Sequence, residues 1–221
     1  MTHAKQDNSL SHEMLRIVTA THHDPFEVLG RHPLGYKVTA EADTLVRAYL
    51  PGARNAALII NNQPTPMTRV EGTDFFTWRG LAKNLPTYYQ FQWSDRHNVP
   101  HTEFDPYCFA PQLGDIDMHL FAEGQHWNIY QHLGAHPRTV EGIDGVLFAT
   151  WAPNAERISV VGDFNDWDGR AHPMRVRGGS GLWELFIPGV KPGALYKFEI
   201  RNRATGAVFL KSDPYGQAFE L

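Results

Sequence analysis

The chain has 221 residues, with 24 acidic and 20 basic side chains for a formal net charge of −4, and is 42% hydrophobic and 12% aromatic. That balance excludes a protein that grips nucleic acid or an anionic membrane through a basic face, and it supplies enough apolar residues for a folded core. The single cysteine, Cys108, excludes an internal disulfide framework, and the longest aliphatic run, Ala56 to Ile60, falls far short of the ~20 residues of a membrane span. A cytoplasmic chain is expected, with no nucleic-acid or membrane partner.

In chain order, Leu10, Met14, Ile17 and Val18 fall on one stripe of an amphipathic helix over residues 10–20. Asp24-Pro25-Phe26-Glu27 then offers a cap, a proline at the first helical position and a glutamate three residues after the cap, with Gly30 as the stop. This predicts a single-turn helix. Short β-rich runs follow at Leu45 to Tyr49, Ala57 to Ile60, Phe75 to Arg79 and Tyr88 to Trp93, each bounded by Pro, Gly or Asn. A third helix is expected over Asp117 to Glu123, stopped by Gly124. Strands resume at Val146 to Trp151, Ile158 to Val161, Leu182 to Ile187 and Leu195 to Ile200. Gly178-Gly179-Ser180-Gly181 lacks the Lys-Ser/Thr of a phosphate loop and reads as a hairpin turn. Strand spacing of about 8–15 residues is that of antiparallel sandwiches.

The two halves repeat. Val28 to Pro33 matches His132 to Pro137 at an offset of 104, and Leu50-Pro51-Gly52-Ala53 matches Ala152-Pro153-Asn154-Ala155 at 102. Tyr89-Gln90-Phe91 matches Tyr196-Lys197-Phe198 at 107, and Asp105-Pro106-Tyr107 matches Asp213-Pro214-Tyr215 at 108. Four colinear matches in so narrow a band indicate a tandem duplication, with a period too long for a solenoid. The expected architecture is all-β: two tandem immunoglobulin-like β-sandwiches with short helices at the N-terminus and in the linker. The first module takes residues 1–115, the linker 116–130 and the second module 131–221.

Few residues point to chemistry. The twelve histidines are scattered, and His132-x-x-x-His136 is interrupted by Gly134, so no metal site is expected. The run Asp163 to Gly169 fails as a calcium loop, because Trp167 stands at its fifth position and Met174 at its twelfth. Cys108 reads as a small core residue. The turn Gly162 to Trp167 remains. A sugar presents a flat CH face and a rim of hydroxyls, which an aromatic platform flanked by amide, carboxylate or ammonium groups matches. Trp167 would be that platform, with Asn165 and Asp166 beside it and Lys197 on the Tyr-Lys-Phe strand. On the alternative reading Trp167 packs against Pro173 or Met174 and seals one end of the sandwich. The other tryptophans, Trp78, Trp93, Trp127, Trp151 and Trp183, are expected in the core.

HDPFEVLGRH (His23 to His32), LGAHPRTVEG (Leu133 to Gly142), the run from Phe148 to Arg175, GLWELFIPGV (Gly181 to Val190), LYKFEI (Leu195 to Ile200) and KSDPYG (Lys211 to Gly216) together resemble the amino-terminal part of bacterial glycogen (1,4-α-glucan) branching enzymes. The resemblance implies two β-sandwiches, the second a family 48 carbohydrate-binding module, followed by an α-amylase-type (β/α)8 barrel. It implies a parent enzyme that cuts an α-1,4-glucan and passes the chain to a 6-hydroxyl, using no cofactor. The family's catalytic aspartates and glutamate belong to the barrel, so no catalytic residue is carried over, and the chain reads as a fragment whose second module is truncated. The implied partners are α-1,4-glucan (glycogen, amylose, malto-oligosaccharides) and the missing barrel of the same polypeptide. Trp167 and Lys197 match the family's stacking tryptophan and hydroxyl-contacting lysine, whereas its second tryptophan platform is replaced by Leu210. The alternatives are a stand-alone glucan-binding or structural module, or a piece of a related enzyme such as a debranching enzyme.

Overall fold

A computed structural model describes residues 10–35 and 39–219. Helix α1 (His12–Val18) starts where the Ser11 hydroxyl accepts from the Met14 amide at 3.2 Å, and it buries Met14 and Ile17. The Asp24 carboxylate caps the single turn Pro25–Glu27 in the same way, 3.1 Å from the Phe26 amide.

Eight antiparallel strands follow: β1 (Gly30–Pro33), β2 (Asp43–Tyr49), β3 (Asn55–Ile60), β4 (Gln63–Pro66), β5 (Thr68–Arg69), β6 (Phe75–Leu81), β7 (Gln90–Ser94) and β8 (Pro100–Phe104). They form sheets of order β1-β2-β6-β5 and β4-β3-β7-β8, which enclose a core including Val46, Leu58, Phe76 and Phe91. After helix α2 (Asp115–Ala122) come β9 (Gly134–Val140), β10 (Ile143–Trp151), β11 (Ala155–Gly162), β12 (Arg175–Val176), β13 (Leu182–Pro188), β14 (Tyr196–Asn202) and β15 (Val208–Lys211). Their sheets run β12-β13-β10-β9 and β11-β14-β15, around Phe148, Ile158, Val160, Trp183 and Phe198.

The strand orders make the duplication concrete. Strands β9, β10, β13 and β12 repeat β1, β2, β6 and β5, while β11, β14 and β15 repeat β3, β7 and β8. Among the described residues only β4 lacks a counterpart. At its place beside β11 lies an irregular segment, held by a Ser159–Pro173 bridge and by bonds from the Val160 amide to the His172 carbonyl (3.1 Å) and from the Met174 amide to the Ile158 carbonyl (2.8 Å).

The repeated sequence motifs meet in space. The Tyr89 hydroxyl donates to Asp105 at 2.7 Å, and Tyr196 donates to Asp213 in the same manner. The Asp105 and Asp213 carboxylates also accept from the Tyr107 and Tyr215 amides, at 2.9 and 2.8 Å. Gly30 and Gly134 have φ of +85° and +108° beneath those tyrosines, and a Cβ on Gly30 would lie 2.8 Å from the Tyr107 carbonyl oxygen.

The sandwiches share a joint. Glu184 on β13 is wholly buried and accepts from the Gln112 and Leu113 amides (3.1 and 2.7 Å), while Arg175 and Arg177 reach it at 3.1 and 2.8 Å. A buried carboxylate needs such a full set of donors. Arg175 also lies over the Phe26 ring at 3.7 Å, Phe26 meets Tyr107 edge-on at 5.1 Å, and Phe109 meets Phe186 at 4.9 Å.

Two tryptophans depart from expectation. Trp127 and Trp151 are 87% and 54% exposed. Trp127 sits in the linker beyond α2, and Trp151 points outward at the last position of β10, opposite in face to buried Thr150. Trp183 is buried, and Trp78 and Trp93 pack against the first core. The expected strand from Tyr88 begins at Gln90. Among the described residues no helix is long and apolar enough to cross a membrane.

Candidate functional site

Strand β11 ends at Gly162, where a Cβ would lie 2.3 Å from the Leu195 carbonyl oxygen and 2.6 Å from the Phe164 ring. Only glycine lets the next turn fold back so closely. Phe164 then turns into the second core, with its ring 6.2 Å from that of Phe148. Asn165 locks the turn: its Oδ1 accepts from the Gly162 amide at 2.9 Å, and its Nδ2 donates to the Val160 carbonyl (2.9 Å) and the His172 Nδ1 (2.8 Å). Desolvation holds the His172 imidazole down at about 4, which keeps it neutral and able to accept that bond.

The turn closes with Asp166 and Trp167 both left-handed, at φ +52° and +59°. Aspartate tolerates this region, whereas a bulky aromatic there costs on the order of 1 kcal/mol or more. The Trp167 amide donates to the Gly162 carbonyl at 3.0 Å and its indole Nε1 to the Asp163 carboxylate at 2.9 Å, leaving the side chain 38% exposed. Downstream, Arg170 grips Asp168 through Nε and Nη2 at 3.0 and 2.7 Å. Buried Arg157 ties the Gly169 carbonyl (2.7 Å) to Glu199 on β14.

Lys197 is exposed on β14, opposite Val161, between Tyr196 and Phe198, which face the core. Gly162, to which Trp167 is bonded, pairs with Tyr196, so Trp167 and Lys197 lie at the same end of one sheet. Asn165 and Asp166 instead border a crevice of about 730 Å³ between this loop and the first sandwich, whose other walls include Tyr49, Trp93 and Tyr107. The four predicted residues thus divide. Trp167 and Lys197 stay outside the crevice, Asp166 is exposed beside it, and the Asn165 amide is committed to the turn. The chemistry on offer is adhesive: an indole oriented by a carboxylate, with an exposed lysine at the same end of the sheet, suits stacking on a sugar face and hydrogen bonding to its hydroxyls.

Sequence reasoning missed Asp163, which orients the indole; the four-residue spacing to Trp167 was its only signal. It also missed a grouping around α2, where Asp117 Oδ1 lies 3.0 Å from His126 Nε2 and 3.4 Å from His132 Nε2. The His132-to-His136 spacing hides this pairing, because His136 instead bonds the Leu133 carbonyl at 2.9 Å.

Residues 10–107 match the family described as alpha-1,4-glucan branching enzyme GlgB, N-terminal domain, and residues 132–216 match carbohydrate-binding module 48, the isoamylase N-terminal domain. The chain is 73% identical over 223 residues to the 1,4-alpha-glucan branching enzyme GlgB of Cellvibrio japonicus, which covers all of this chain and 30% of that protein. The enzymes of that name from Nitrosococcus oceani and Methylococcus capsulatus are 56% and 55% identical, over 95% and 100% of this chain and 27% and 29% of theirs. The chain therefore spans about 30% of the length of the curated relatives it matches. The turn bearing Trp167, and Lys197 with it, falls inside the carbohydrate-binding match, and the whole chain belongs to the bacterial glycogen branching enzyme family as its amino-terminal region.

Proposed function

We propose that this chain positions α-1,4-glucan for a glycogen branching enzyme, whose catalytic barrel, part of the same polypeptide, cuts a chain and transfers it to a 6-hydroxyl. The observation that carries the reading is the Trp167 indole, held exposed in a left-handed backbone and oriented by Asp163. A structural plug has no need of such a costly conformation at a half-exposed site. Glucose units of glycogen, amylose or a malto-oligosaccharide stack on the indole, Lys197 donates to their hydroxyls and Asp166 accepts from them, while Asn165 fixes the turn. We read modules at 1–115 and 131–221 joined by 116–130, acting in the cytoplasm. One aromatic stack contributes only ~0.5–1.5 kcal/mol beyond area burial, and millimolar binding already requires about −4 kcal/mol, so a single contact is weak and retention grows with glucan length.

The test is Trp167→Ala on an amylopectin or glycogen affinity gel, with Trp183→Ala as calibration. Retention should fall in Trp167→Ala while its melting temperature moves little, whereas Trp183→Ala should cost ~3–5 kcal/mol, as core tryptophans do. Unchanged retention with a large loss of thermal stability would mean that Trp167 is a plug and would overturn the reading.

A further inference from the structure

We propose that Asp117, His126 and His132 form a zinc site that pins helix α2 to the start of the second sandwich. Their ligand atoms converge: Asp117 Oδ1 is 3.0 Å from His126 Nε2 and 3.4 Å from His132 Nε2, and all three lie within 4.8 Å of one another. Zinc bonds of about 2.0–2.1 Å in a tetrahedron separate neighbouring ligand atoms by about 3.3 Å. The two spacings to Asp117 bracket that edge and the third pair lies within 4.8 Å, so side-chain adjustment brings all three onto one ion.

Each ligand comes from a different segment. Asp117 stands in the first turn of α2, His126 just beyond its end and His132 two residues before β9. The second Asp117 oxygen is held by the Gly114 amide at 3.2 Å, which aims the first at the histidines. His126 is 7% exposed, whereas His132 and Asp117 are 23% and 24% exposed, leaving one side open for entry and for a water as fourth ligand. Next to the ligands in the chain, Met118 and Leu133 belong to an apolar cluster in which Leu113 and Leu133 are buried and Met118 and Ile129 pack on them, and an apolar surround limits water at a bound ion. Two imidazoles and one carboxylate suit zinc; calcium and magnesium take all-oxygen sets. This site stands apart from the glucan-facing loop and does not depend on its role.

The chain, stripped with a chelator, is titrated with zinc chloride by calorimetry and separately with cobalt(II), read by ligand-field absorption, with calcium and magnesium as controls. Zinc should bind one to one and raise the melting temperature, and cobalt should give a tetrahedral spectrum. His126→Gln and His132→Gln should each weaken zinc about tenfold to a hundredfold and abolish the melting-temperature rise, with His136→Gln indistinguishable from the parent. Circular dichroism of the metal-free variants reports their folding; if either histidine variant fails to fold, Asp117→Asn, which keeps the carboxamide shape, should show the same loss. Two results overturn the proposal: no one-to-one uptake at zinc up to ~100 μM, or uptake unchanged in the folded variants. Either leaves the three side chains as a hydrogen-bonded cluster.

Discussion

The two sandwiches solve the same edge differently. Beside β3, Asn61 and Asn62, at φ +51° and +60°, turn the chain back into β4, and asparagine is suited to such left-handed pairs. Beside β11 the left-handed pair is Asp166 and Trp167, and the chain returns along β11 as an irregular segment with a single Ser159–Pro173 bridge. The first solution is cheap and closes an edge. The second is strained and displays an indole, with Asp163, Asn165 and Arg157 holding what the backbone alone would not. A second contrast lies at the rung where Thr68 pairs with Thr77 in one sandwich and Arg175 with Glu184 in the other. The threonine Thr68 is exposed, and Glu184 is fully buried because the chain between the sandwiches lies across it. A duplicated frame thus diverges where one copy faces solvent and the other faces its sibling.

The largest effect should come from that rung. Glu184→Ala leaves two guanidinium groups and two amides without their acceptor and should cost ~3–5 kcal/mol in urea unfolding, against less than ~1 kcal/mol for Thr77→Ala. Comparable losses would break the contrast. Acidity should next separate the halves. The neutral His172 ring, held at about 4 by burial, gives stability that is complete above its ordinary value near 6.5 and is lost as pH falls toward 4. The loss is at most ~3 kcal/mol, because the ring is only partly shielded from solvent. Burial raises the Asp105 carboxyl to about 6, so the first sandwich behaves oppositely, losing stability as pH rises from about 4 through 6. His172→Gln should flatten the acid limb of the stability curve and Asp105→Asn the neutral limb; identical curves for both variants would contradict the assignment. Tyr89→Phe should cost ~1–3 kcal/mol by stranding a buried carboxylate, and Tyr196→Phe less, since Tyr196 is only partly buried. Smallest of all, Asn62→Gly should raise thermal stability by about 0.5 kcal/mol or less, by relieving a left-handed residue.

The central strands were legible because their residues alternate or run apolar. Edge strands were not: β4 carries Pro64 and Pro66, β8 opens with Pro100, β9 contains Pro137, and all four residues of β15 are exposed. Such strands exist because a neighbour supplies their partners, and an edge tolerates proline. The Trp167 turn could be picked out from its residue types, but the commitment of the Asn165 amide could not, since it depends on His172 arriving from seven residues away. The meeting of Asp117 with His126 and His132 required the chain after α2 to fold back on the helix, which no local spacing records.

Phe26 and Tyr107 belong by sequence to the first half, yet both pack into the second sandwich's core cluster, and Phe109 docks on Phe186. A ribosome releases the first half while these rings still lack their partners in the second sandwich. Their shelter arrives only when β12 and β13 have been synthesised, so the first half completes its packing after the second emerges, and during that interval the exposed rings are a ready target for chaperones or for misassembly.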